Sequence, residues 1–125
     1  MNYGFVGLGN LGAKLAANLL RGGVSVKVFD LNQEAVENAK ALGAEAAPSV
    51  AAAATDVDGL ITCLPSPAAS EAVVLGPGGA FTLMKPGATW IEMSTLGVDD
   101  IKRLAAQAAE HGVKTLETPL TGGVH

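Results

Sequence analysis

The chain has 125 residues, 49% hydrophobic and 16% charged, with a net charge of −4 and a single cysteine. That length suits one domain, and the composition suits a buried core and not a disordered chain. The acidic balance argues against a phosphate-backbone partner such as DNA, one cysteine excludes an internal disulfide, and no apolar stretch reaches a membrane span.

The first segment is an apolar strand, Tyr3 to Val6, that meets glycines at 7, 9 and 12. A helix-period run follows, with Leu11, Leu15 and Leu19 four apart, and Gly22 and Gly23 stop it. A second strand, Val24 to Phe29, ends in Asp30, eighteen residues beyond Gly12. A lone glycine triplet is weak evidence. Placed between a strand and a helix, with an acid after the second strand, it is a dinucleotide-binding pattern. Gly7 permits the sharp turn, Gly9 lets a pyrophosphate approach the backbone, and Gly12 lets the helix pack on the sheet. The helix N-terminus faces the phosphates. Asp30 accepts hydrogen bonds from a ribose and repels a 2′-phosphate. Leu31 and Asn32 follow it with no arginine. NAD is therefore expected, with NADP disfavoured. The bland alternative is a glycine-rich turn that binds nothing.

Beyond Asp30 the chain keeps alternating. Asn32 caps a helix to Leu42, which Gly43 ends. Ala44 to Ala47 is a short strand, and Ser49 caps a brief helix to Ala54. Val57 to Leu64 reads as a strand and Ser66 to Leu75 as a helix with Pro67 at its first turn. Loop residues 76–79 precede a single turn from Ala80 to Met84. Ala88 to Met93 is a strand, Leu96 to Glu110 the clearest amphipathic helix, and Val113 to Glu117 the last strand. Six strands alternating with helices predict a Rossmann-type, doubly wound, mostly parallel α/β sheet with helices on both faces, as a single domain over 1–125. Ligands of such sheets lie beyond the carboxyl ends of the strands. Small and polar residues gather there: Leu64-Pro65, Ser94-Thr95 and the run 118–123.

Four motifs in order, FVGLGNLG, ITCLP, EMSTLG and TPLTGG, resemble the β-hydroxyacid dehydrogenases, the family of 3-hydroxyisobutyrate dehydrogenase and tartronate semialdehyde reductase. The resemblance covers essentially the whole chain. It implies that Leu8, Asn10 and Leu11 complete the glycine turn around the cofactor, that Leu64 and Pro65 lie beside it, and that Thr95 approaches the nicotinamide end. It implies that Thr121, Gly122 and Gly123 form a substrate loop holding a carboxylate. The activity implied is hydride transfer between NAD and a small 3-hydroxy acid.

Two positions depart from the family pattern: Thr121 stands where serine is commoner, and Ser70 where an apolar residue is. The family's helical second domain, with its catalytic lysine, has no counterpart before His125, and Lys85, Lys102 and Lys114 lie in no matching motif. The chain is thus expected to be the cofactor-binding domain, inactive alone, in the cytoplasm. A non-catalytic nucleotide-binding or interaction module is the alternative. Imine reduction is a second one, and Asp30 counts against it.

Cys63 reads as a buried structural thiol, because no partner base is near in sequence. His111 reads as a helix-end group, His125 as a frayed terminus, and the two form no metal pattern. Ser94 and Thr95 also suit helix capping. A hydrophobic composition and a last strand without charge after Glu117 predict self-association, most simply a homodimer.

Overall fold

A computed structural model describes residues 2–64, 67–75, 79–93 and 98–117. The elements are β1 (Asn2–Val6), α1 (Gly9–Arg21), β2 (Ser25–Phe29), α2 (Gln33–Ala41), β3 (Glu45–Ala46), α3 (Val50–Ala54), β4 (Gly59–Thr62), α4 (Pro67–Leu75), α5 (Ala80–Leu83), β5 (Thr89–Glu92), α6 (Val98–Glu110) and β6 (Lys114–Glu117). The six strands form one parallel sheet in the order β3-β2-β1-β4-β5-β6. The expected Rossmann-type α/β fold is therefore what the chain adopts. Strand order reverses between β1 and β4, which fixes the crevice where such sheets take ligands.

Period-two alternation builds the two faces. Phe5, Val26, Val28 and Ile61 point to one side and pack with Ala16 of α1 and Val36 and Ala39 of α2. Val6, Leu60 and Trp90 point to the other and pack with Phe81, Val74 and Leu104 of the second set of helices. All four residues of β4 are buried, as a central parallel strand covered on both faces requires. Phe81 meets Trp90 edge-on, with ring centroids 5.2 Å apart.

Helix boundaries follow local chemistry. The Asn32 side chain accepts from the N–H groups of Glu34 and Ala35, and Ser49 accepts from Ala52. Gly23, Gly43 and Gly112 follow helix ends with positive φ. The Lys27 ammonium donates to the carbonyls of Ala52 and Thr55 at 3.1 and 3.2 Å, tying β2 to the C-terminal end of α3. Asp58 accepts from the Asn2 N–H at 2.8 Å and pairs with Lys85 at 3.3 Å. These bonds hold its carboxyl below the usual range, the Asn2 bond most strongly. Arg103 of α6 pairs with Glu71 of α4 and with Asp100.

Candidate cofactor site

The glycine turn is shaped by contact as well as by conformation. Gly7 has φ +82°, and a Cβ there would stand 2.4 Å from the Cys63 carbonyl oxygen on the neighbouring strand end. No L side chain fits. A Cβ at Gly12 would lie 3.3 Å from the Gly7 carbonyl and 3.7 Å from the Cys63 Cβ, so α1 sits directly against the turn.

The N-terminus of α1 has no side-chain cap and no acid of its own. Leu8 occupies the N-cap position and supplies no side-chain hydrogen bond, and no acid lies in the first turn, formed by Gly9, Asn10 and Leu11. α2, by contrast, has both Asn32 as a cap and Glu34 in its first turn. An uncapped helix start keeps its N–H groups and dipole for an external anion. Asp30, directly after β2, is wired to this turn. Its Oδ2 accepts from the Leu8 N–H at 2.7 Å and its Oδ1 from the Asn32 N–H at 2.8 Å. Carboxylate oxygens carry about four acceptor positions, so two remain for a ligand hydroxyl.

Beside Asp30 a cavity of about 700 Å³ opens at the carboxyl ends of β1, β2 and β4. Its walls include Gly7, Leu31, Val50, Cys63, Leu64 and Val73. Leu31 is 92% exposed, an apolar side chain held out at the rim. The sequence pointed to Asp30 and Leu64, and both lie here. It noted Leu31 only for not being arginine. A large exposed aliphatic residue directly after the acid was the available signal. Pro65, Thr95, Thr121, Gly122 and Gly123 lie outside the described residues.

Cys63 is half-buried at this wall. Burial pushes its thiol above the ordinary value, the charge of Glu92 and then of Asp30 adds, and a hydrogen bond from the Gly12 N–H opposes. It is a structural thiol and not an activated nucleophile. His111 lies just past α6, its ring centroid 6.5 Å from that of Phe81. Among the described residues no cluster of side chains could hold a metal ion, and no helix is long and apolar enough to cross a membrane.

An uncapped helix behind a glycine turn, an acid at the end of β2 and a cavity at the switch point together define a dinucleotide-binding domain. Residues 2–125 match the family model described as the NAD binding domain of 6-phosphogluconate dehydrogenase, and the chain belongs to that family. It is 38% identical over 119 residues to the NAD-dependent L-serine dehydrogenase of Pseudomonas aeruginosa, covering 95% of this chain and 40% of that protein. It is 35% identical to the 3-hydroxyisobutyrate dehydrogenase of the same organism, covering 96% and 40%. Among solved structures, 3-hydroxyisobutyrate dehydrogenase of Mycobacterium tuberculosis with L-serine superposes with a TM-score of 0.86 at 31% identity, over 93% of this chain and 39% of that one. The chain is thus an NAD(P)-binding domain of the kind found in 3-hydroxyisobutyrate dehydrogenase-like oxidoreductases, and it spans about 40% of the length of the curated relatives it matches.

Proposed function

We propose that the chain binds NAD in preference to NADP and serves as the cofactor half of a dehydrogenase acting on a small 3-hydroxy acid. The carrying observation is the Asp30 carboxylate, which keeps acceptor positions beyond its bonds to Leu8 and Asn32 beside an α1 start without a side-chain cap. The adenosine occupies the 700 Å³ cavity with its ribose on Asp30 and its base against Leu31 and Leu64. The pyrophosphate lies over Gly7 and the first turn of α1, formed by Gly9, Asn10 and Leu11, with Leu8 beneath it and Gly12 behind. Pro65 and Thr95 continue the path to the nicotinamide, and Thr121, Gly122 and Gly123 hold the substrate carboxylate. These last roles rest on the family motifs. The bound nicotinamide supplies hydride chemistry, and the protein's share is to orient it and place charge around it.

Calorimetric titration tests the cofactor assignment. NAD+ should bind roughly tenfold or more tightly than NADP+, since like charges about 4 Å apart repel by ~1–4 kcal/mol between water-like and surface screening. Equal or reversed affinities would sink the role of Asp30. The chain carries no assigned proton donor, so alone it should not oxidise 3-hydroxyisobutyrate or serine. Robust turnover would contradict this. Two further elements complete the proposal. A cytoplasmic location accords with the free thiol of Cys63. Self-association as a homodimer accords with β6 being a sheet edge that exposes Leu116, and light scattering of a Leu116→Lys variant should show a weaker dimer than the parent.

A further inference from the structure

Val50 lines the cavity beside Asp30, and it is the first residue of α3. Phe29 and Asp30, at and just after the end of β2, line the same cavity. α3 is poorly equipped to hold Val50 in place by itself. It is five residues long, VAAAA, so Val50 is its one side chain larger than a methyl group. A single helical turn is not stable in water, and burying Ala53 and Ala54 removes little apolar area. Its position therefore depends on what grips it from outside. A Cβ at Gly4 would collide with the Ala53 carbonyl oxygen, so α3 lies directly on β1. Just beyond its end the Asp56 N–H donates to the Leu83 carbonyl at 3.2 Å. The last carbonyls of a helix have no partner within it. Thr55 serves that of Ala51, with its N–H at 3.0 Å and its hydroxyl at 2.7 Å. That of Ala52 falls to the Lys27 ammonium, which also reaches the Thr55 carbonyl. Lys27 lies two residues before Phe29 on β2, and Ala52 two residues after Val50. One ammonium thus joins two walls of the cavity across 25 residues of chain.

We propose that Lys27 is a positioning residue for the adenosine end of the cofactor: through α3 it sets the spacing between Val50 and the Asp30 end of β2. This rests on the cofactor-binding reading above. Lys27 is not among the residues that line the cavity, so it acts on the ligand only through α3. Its hold matters because dispersion falls steeply with distance. A wall displaced by about 0.5–1 Å forfeits roughly a quarter to a half of each contact it makes with the base.

The test is a double-mutant cycle read by calorimetric titration with ADP-ribose, which lacks the nicotinamide and reports the adenosine end alone. The four proteins are the parent, Lys27→Met, Val50→Ala and the double variant. Lys27→Met keeps an unbranched stem and removes the ammonium. It should weaken ADP-ribose roughly three- to tenfold, and the double variant should lie within about twofold of the weaker single variant, because the two residues act on one contact. A merely structural tether would lower the urea midpoint of Lys27→Met and leave the affinity of the folded chain alone. Affinity of Lys27→Met within about twofold of the parent would therefore overturn the proposal. So would losses that multiply in the double variant, which would show Lys27 and Val50 acting independently. If circular dichroism shows Lys27→Met unfolded, Lys27→Gln, which stays polar at a half-buried position, takes its place in the same cycle with the same expectation. Failure of the parent to bind ADP-ribose would instead remove the cofactor reading, and this inference with it.

Discussion

Replacing Asp30 by alanine should destabilise the fold even without cofactor, and the size of the loss can be worked from two hydrogen bonds. Asp30 accepts from the Leu8 N–H at 2.7 Å and from the Asn32 N–H at 2.8 Å. The two differ in what replaces them. Asn32 is exposed, so water can take over its N–H at little cost. The Leu8 side chain is fully buried in the turn, and its N–H would be left with a poor substitute. An orphaned buried donor costs ~1–3 kcal/mol, and bonds to a charged acceptor lie at the upper part of that range. A loss of about 2 kcal/mol is therefore expected for Asp30→Ala. With a urea slope of ~1–2 kcal/mol/M for a chain of this size, the midpoint should fall by roughly 1–2 M. Asp30→Asn keeps one acceptor oxygen but turns an amide group toward the other N–H, so it should lose about half as much. Leu31→Ala is the control: at 92% exposure it should leave the midpoint unchanged while weakening NAD+ binding. Urea unfolding followed by far-ultraviolet circular dichroism decides the matter. An Asp30→Ala midpoint within error of the parent would show that water already serves the Leu8 N–H, and the brace between β2 and the glycine turn would be withdrawn.

Two other outcomes are expected. Ser70 is fully buried in α4 and its Oγ has no hydrogen-bond partner among the described residues, so Ser70→Ala should raise stability by ~1 kcal/mol, combining relief of an unpaired hydroxyl with better helix propensity; a destabilised variant in thermal unfolding would mean the hydroxyl is satisfied. Cys63 has its thiol pushed up by burial first, so alkylation by iodoacetamide at pH 8 should be slower than that of a free cysteine and should accelerate only at higher pH; because the unfolded chain releases this proton first, the Cys63 contribution to stability is intact below the ordinary thiol value and declines as pH rises through it, a slope that Cys63→Ala should abolish.

Local signals carried far into the structure. Asn32 and Ser49 cap the helices they were expected to cap, because each hydrogen-bonds backbone within three residues of itself. The glycine turn and Asp30 were legible for the same reason: strand, turn, helix and acid form one contiguous unit. Boundaries were less legible where tertiary contact sets them. The fourth strand was expected from Val57 to Leu64, yet β4 pairs only from Gly59 to Thr62. Asp56 turns the chain with φ +56°, and Val57 is buried in the core ahead of the ladder. β3 is two residues long although β2 runs on to Phe29, since Pro48 follows and cannot extend a ladder. Least legible were long-range polar contacts. Thr62 and Glu92 lie 30 residues apart, and neither stands out in sequence. The Lys27 tether to α3 spans 25 residues and looks like any strand lysine.

The hydrogen bond that Trp90 of β5 donates to Thr62 of β4 has an optical consequence. Trp90 is the chain's single tryptophan, with 0% of its surface exposed and its indole N–H engaged by Thr62. Its emission therefore comes from one water-excluded, fixed environment and should be blue-shifted, collapsing to the solvated wavelength only when the sheet opens. A reduced nicotinamide at the strand ends absorbs where this indole emits, so energy transfer from Trp90 would report occupancy of the site without any label. The same residue that packs the core thus gives the ligand edge an intrinsic probe, read separately from the adenosine end where Asp30 lies.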